Sequence, residues 1–149
     1  MVAFVLILTC SICFSQILQP RKYIDSLEHE LIIAKVDTGR VIILGELCWV
    51  FSNANFYSLN VYSKQGLALA RQINFPKGEV FILINQAIAL ELQGDIPASM
   101  ELSFKALQIA ESIQDTSGMA FSKSTLGNAY WYLKDYTKAI AFSKMHYNY

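Results

Sequence analysis

The sequence predicts an all-α helix-turn-helix repeat solenoid of about three units with an N-terminal capping helix, and three observations carry that prediction. The chain after about position 39 is self-similar at a shift of about 40 residues. Apolar residues inside each copy recur three and four apart, the spacing of one helix face. Asp stands at matching places between the copies' helices, where a carboxylate accepts bonds from the free N–H groups of a new helix. Composition agrees: 54% of the 149 residues are apolar and 16% charged, which suits a packed core and not a disordered chain.

The first element is an apolar run from Val2 to Phe14. It is too short for a spanning helix, which needs about 20 residues, but suits the core of a secretory signal. Small Cys13 and Ser15 lie three and one residues before Gln16, so a mature chain starting at Gln16 is expected, with residues 1–15 removed. No Lys or Arg precedes the run, while Arg21 and Lys22 follow it. Retention as a membrane anchor, or burial as an ordinary helix, therefore stays open. The expected compartment is periplasmic or extracellular, with a membrane-anchored form as the alternative.

Residues 16–38 form the lead-in. DSLEHELIIAKVDTGR, residues 25–40, reads as an amphipathic helix capped at Asp25 and ended by the Asp37-Thr38 turn. It is expected to cover the open face of the first repeat, as terminal caps do in stacked arrays. Repeats then occupy 39–149, in units of about 39–77, 78–117 and 118–149, the last incomplete. Ala70, Ile73 and Gly78 fall on Ala110, Ile113 and Gly118, and Ala87, Leu90 and Asp95 on Gly127, Tyr130 and Asp135. At a shift of 39, Leu44, Cys48 and Phe51 fall on Leu83, Ala87 and Leu90. Asp95 and Asp135 read as N-caps, Pro97 sits in a first helical turn, and Gly118 reads as a break before the third unit. Helices are expected at 22–35, 39–52, 56–73, 79–92, 96–113, 119–132 and 136–147.

LGNAYWYLKDYTKAIAF, residues 126–142, carries a recognisable spacing. A Leu126-Gly127 pair is followed by aromatic Tyr130, then by the Asp135-Tyr136 turn and small Ala139. This resembles the tetratricopeptide repeat. The resemblance covers about residues 25–149, with unit three closest to the pattern. Unit two has Gln86, Ala87 and Ser99 where Leu, Gly and Ala are usual. Lys134 replaces a common turn Gly, His146 replaces a small Ala, and the units exceed the usual length of about 34 residues. Longer units of this kind resemble the N-terminal exported regions of Bacteroidetes-type sensor proteins. The family's pattern implies that Gly127 and Ala139 let two helices approach closely while Tyr130 and Tyr136 fill the space between turns.

Catalytic patterns are not found. The sequence contains no Gly-rich phosphate loop and no nucleophile elbow. His29 lies between Glu28 and Glu30, and adjacent helical residues point different ways, so no metal cluster is expected. Cys48 is the one cysteine left after signal removal and reads as a small core residue. The charge is balanced, 12 basic against 12 acidic side chains, which gives no basic patch for nucleic acid. The expectation is thus no enzyme, no cofactor and no metal, but a scaffold that binds a protein or peptide. The sensing portion of a longer signalling protein is one setting for it. The alternative is a structural or oligomerising module pairing through its C-terminal end, or a fragment of a sensor kinase or transcription regulator. The resemblance places the first helix of each unit on a concave groove. It assigns Ile42, Glu46 and Trp49, then Ile84, Asn85, Ile88 and Glu91, then Ser124, Thr125, Asn128 and Trp131 to that surface. Asn128 matches a position that often bonds a peptide backbone in the family. Both Trp side chains can equally pack between helices. With little charge beyond Glu46 and Glu91, binding is expected to depend weakly on salt.

Overall fold

Local chain chemistry sets a strict beat. In a computed structural model describing residues 21–144, seven helices follow one another and no strand occurs among the described residues. The expected export segment, the expected start at Gln16, and His146 lie outside the described residues. The described part of helix α1 covers 21–33. It is followed by α2 (Thr38–Phe51), α3 (Phe56–Gln72), α4 (Pro76–Leu92), α5 (Ile96–Ser112), α6 (Thr116–Tyr132) and α7 (Tyr136–Lys144).

From α3 to α6 every helix has 17 residues, and three residues join each to the next. The middle residue of each joint, Asn74, Gly94, Gln114 and Lys134, is left-handed, with φ of 54°, 83°, 54° and 61°. The N–H after it reaches back five residues: Phe75 to Ala70 O (2.8 Å), Asp95 to Leu90 O (2.9 Å), Asp115 to Ala110 O (2.9 Å) and Asp135 to Tyr130 O (3.0 Å). This closes the old helix by satisfying orphan carbonyls. The same residue can open the next helix. Asp95 Oδ1 accepts from Ala98 N at 3.2 Å and Asp135 Oδ1 from Lys138 N at 3.2 Å. The 40-residue repeat is therefore built from two 20-residue beats.

Two sequence expectations change. Gly118 does not break the chain; like Gly78, it lies buried in the first turn of its helix, two residues beyond the true helix start. A Cβ at Gly118 would stand 2.8 Å from Val80 Cγ1 and 3.1 Å from Ala110 Cβ, so close packing, not turn geometry, requires glycine there. Asp25 is inside α1 and not its N-cap, because the helix already includes Arg21.

α1 is held to the repeats by polar ties. Arg40 Nη1 donates to the carbonyls of Leu31 (2.9 Å) and Ala34 (3.0 Å), capping the end of α1. Tyr62 OH donates to Glu28 at 2.7 Å, and Leu31 packs against the first core cluster. That cluster joins Val41, Leu44, Cys48, Leu69, Ala70 and Ile82; a second joins Val80, Leu83, Ile84, Ala106 and Ala110. Each fully buried Leu or Ile contributes about 1.5–3 kcal/mol relative to exposure.

Successive helices pack as antiparallel pairs, and the first helices also pack across units, α2 on α4 and α4 on α6. The second helices do not: no Cα of α3 comes within 8 Å of α5. Rings bridge α5 and α7, Phe104 to Phe142, with centroids 6.3 Å apart. Close approach on one side and separation on the other bends the stack toward α2, α4 and α6. In the last described pair, Gly127 faces α7, where a Cβ would lie 3.1 Å from Ser143 Oγ and 3.5 Å from Ala139 O. Ala139 is buried, and Tyr130 stacks on Phe142 at 5.4 Å.

Candidate functional site

The inner helices α2, α4 and α6 carry the candidate face. On a helix packed between neighbours, most sides are covered and one stripe stays open. On α2 that stripe includes Ile42 (48% exposed) and Trp49 (57%); on α6 it includes Phe121 (60%), Asn128 and Trp131 (62%). Both Trp side chains are therefore surface residues, although Trp131 leans edge-on against Tyr136 with centroids 5.0 Å apart. Glu46, Ile88, Glu91 and Ser124 are half-buried along the same helices.

Three assigned groove residues turn inward. Ile84 and Thr125 are buried, and Asn85 is 2% exposed. The α2–α4 contact explains Asn85: its Nδ2 donates to Gly45 O at 3.3 Å, tying one first helix to the next. Thr125 Oγ1 donates to Phe121 O at 3.0 Å within its own helix. Neither side chain is free to take a peptide backbone in this conformation.

Two aromatics that the sequence argument passed over flank this face: Phe121 is exposed and Phe81 half-buried. Phe81 and Phe121 occupy equivalent places, 40 residues apart, and Ile42 matches them at a shift of 39. The repeat register that located Trp131 held this signal as well. Phe81 lies over Gly45, where any Cβ would collide with its ring. A cleft of about 210 Å³ is bounded by Glu46, Trp49 and Phe81. A neighbouring one of about 350 Å³ runs along Tyr23, Trp49, Val50 and Asn53. A third, of about 150 Å³, lies between α4 and α6 beside Lys77, Phe81, Ile84, Asp115 and Phe121.

No family model and no curated protein matches this chain. The face must be read from its own chemistry. Lys77 at its rim is paired with Asp115 at 3.8 Å. Glu91 has its carboxyl pushed upward by burial, and its Oε2 has no hydrogen-bond partner among the described residues. Glu46 Oε2 accepts from Tyr23 OH at 3.3 Å, a long bond. Cys48 lies behind this face, fully buried, with burial pushing its thiol up to about 12. A thiol held neutral in that way is a packing group and a poor nucleophile. No group of three or more His, Cys, Asp and Glu capable of holding a metal ion occurs among the described residues.

Proposed function

We propose that this chain is a tetratricopeptide-type scaffold that binds a peptide or protein segment along α2, α4 and α6 and catalyses nothing. The observation that carries the reading is the exposed aromatic row of Trp49, Phe121 and Trp131, joined by Phe81 in the clefts between. Aromatic side chains supply large desolvated contact at little entropic cost, and they dominate binding hot spots. The inward bend of the stack supports the reading, as does the Leu126-Gly127…Ala139 spacing with Gly127 against α7. The apolar run Val2–Phe14 supports an exported setting, periplasmic or extracellular, in keeping with a sensing portion of a longer signalling protein.

The test is selection of binders from a random displayed peptide library, read out by Trp fluorescence with the purified chain. Phe121→Ala, Trp131→Ala and Asn128→Ala should each weaken the selected peptides by about tenfold, or about 1.4 kcal/mol. Lys105→Ala, an exposed change on α5, should not. Loss through Lys105→Ala with the three inner changes silent would reverse the assignment of the face.

A second reading, self-association through the C-terminal end, rests on a different observation. Tyr136 and Ile140 of α7 are about half exposed, beside exposed Tyr132 and Leu133. Exposed apolar side chains on the last described helix pair suit contact with another copy. A monomer mass in sedimentation equilibrium at high protein concentration would remove this reading and leave the first.

A further inference from the structure

We propose that the cleft between α2 and α4 bounded by Glu46, Trp49 and Phe81 receives a cationic side chain, Arg or Lys, of the bound segment. The inference rests on the peptide-binding reading above and specifies what one of its subsites takes.

The cleft combines a carboxylate with two aromatic rings. That combination suits a long cation: the rings cover the alkyl stem and attract the charged head, and the carboxylate neutralises it. Trp is the best such ring, and Trp49 is more than half exposed. At about 210 Å³ the cleft falls below the range of small-molecule pockets, roughly 300–1,000 Å³, and matches a single side chain.

Charge selects between occupants. Glu46 forms no ion pair among the described residues; its contact is the 3.3 Å bond from Tyr23 OH. Lys77, the cation at the neighbouring cleft, is already paired with Asp115. The other carboxylate on these helices, Glu91, has an Oε2 with no hydrogen-bond partner among the described residues. An apolar occupant would strip water from Glu46 and return no partner to it. A cationic occupant replaces that water with a charge-assisted bond. Arg fits better than Lys, because its planar guanidinium can stack on Trp49 while bonding Glu46 side-on.

The experiment uses the full chain and the peptides selected above. Each peptide is resynthesised with its Arg and Lys residues replaced one at a time by Gln. Binding is measured to the wild type, Glu46→Gln and Trp49→Leu, with thermal midpoints recorded to show that the variants stay folded. The expected result is one cationic peptide position whose loss weakens wild-type binding about tenfold and Glu46→Gln binding less than twofold. Trp49→Leu should lower the preference for Arg over Gln at that position. Raising salt should weaken the cationic peptide a few-fold and leave its Gln version unchanged. Peptides that bind the inner face with no cation dependence would overturn the cationic subsite and leave the groove standing. An equal loss in wild type and Glu46→Gln would overturn it too, by placing the cation elsewhere. Failure to select any binder would overturn both the subsite and the groove.

Discussion

Replacing Gly127 by Leu tests the contact that closes the last described helix pair. The position faces α7: a first side-chain carbon would lie 3.1 Å from Ser143 Oγ, 3.5 Å from Ala139 O and 3.7 Å from Phe142 Cβ. Ser143 is exposed and its hydroxyl can rotate, so one carbon fits after a small adjustment. Gly127→Ala should thus be near neutral, because a helical Ala gains about 1 kcal/mol over Gly and offsets the crowding. Leu adds three further carbons against the α7 backbone. They must push Ala139 and Phe142 away, at a cost of roughly 1–3 kcal/mol for overpacking. Displacing Phe142 also loosens its stack on Tyr130, and such pairs contribute about 0.5–1.5 kcal/mol. For a chain of this size each kcal/mol moves the midpoint by about 2–4 °C. A fall of about 4–10 °C is expected for Leu, measured by far-ultraviolet circular dichroism on heating, with little change for Ala. If the Leu variant melts with the wild type, the α6–α7 approach described above is wrong.

Gly118→Ala should destabilise by about 1–2 kcal/mol despite the better helix former, because its Cβ would meet Val80 Cγ1 at 2.8 Å and Asp115 Oδ2 at 2.6 Å; a higher denaturation midpoint would restore the simple chain-breaker role. Gln114→Gly and Lys134→Gly should each stabilise by about 0.5–1 kcal/mol, since both residues hold φ above +50°, a region unfavourable to side chains; urea titration that finds them destabilising would contradict the left-handed joints. Cys48 has a folded-state pKa of about 12, raised above its ordinary 9.0 by burial. Its contribution is full below about pH 9 and is lost as pH rises toward 12, so the wild type should lose stability over that window more steeply than Cys48→Ala. The native thiol should also resist alkylation at neutral pH, and rapid labelling without unfolding would contradict its burial.

Periodicity carried most of the fold. Leu44 and Leu83, and the Asp95 and Asp135 caps, sit at spacings that only repeated helix pairs explain, and the helices lie near the expected limits. Function was harder to read along the same line. Assigning a face from a motif register gives an angular position on each helix, and neighbouring residues differ by about 100° in a helix of 3.6 residues per turn. On α4, buried Ile84 and Asn85 flank half-buried Phe81 within about 60°, so register alone does not tell them apart. The glycines misled for a related reason. A glycine between apolar segments reads equally as a stop or as a close contact, and only its neighbours in space distinguish the two.

What the sequence determined by itself was the local programme: helix faces from apolar spacing, caps from Asp, and a period of about 40 that requires each unit to stack on the next. Those choices depend on residues within one or two turns of each other, so they can be read along the chain. Tertiary structure alone decided which stripe of α2, α4 and α6 stays open. It turned Asn85 toward Gly45 O, sealed Thr125 in its own helix, and brought Glu46, Trp49 and Phe81 together around one cleft. That outcome depends on how helices some 40 residues apart rotate against each other. The rotation is set by side-chain volumes at the contact, such as Phe81 over Gly45, which no single helix records.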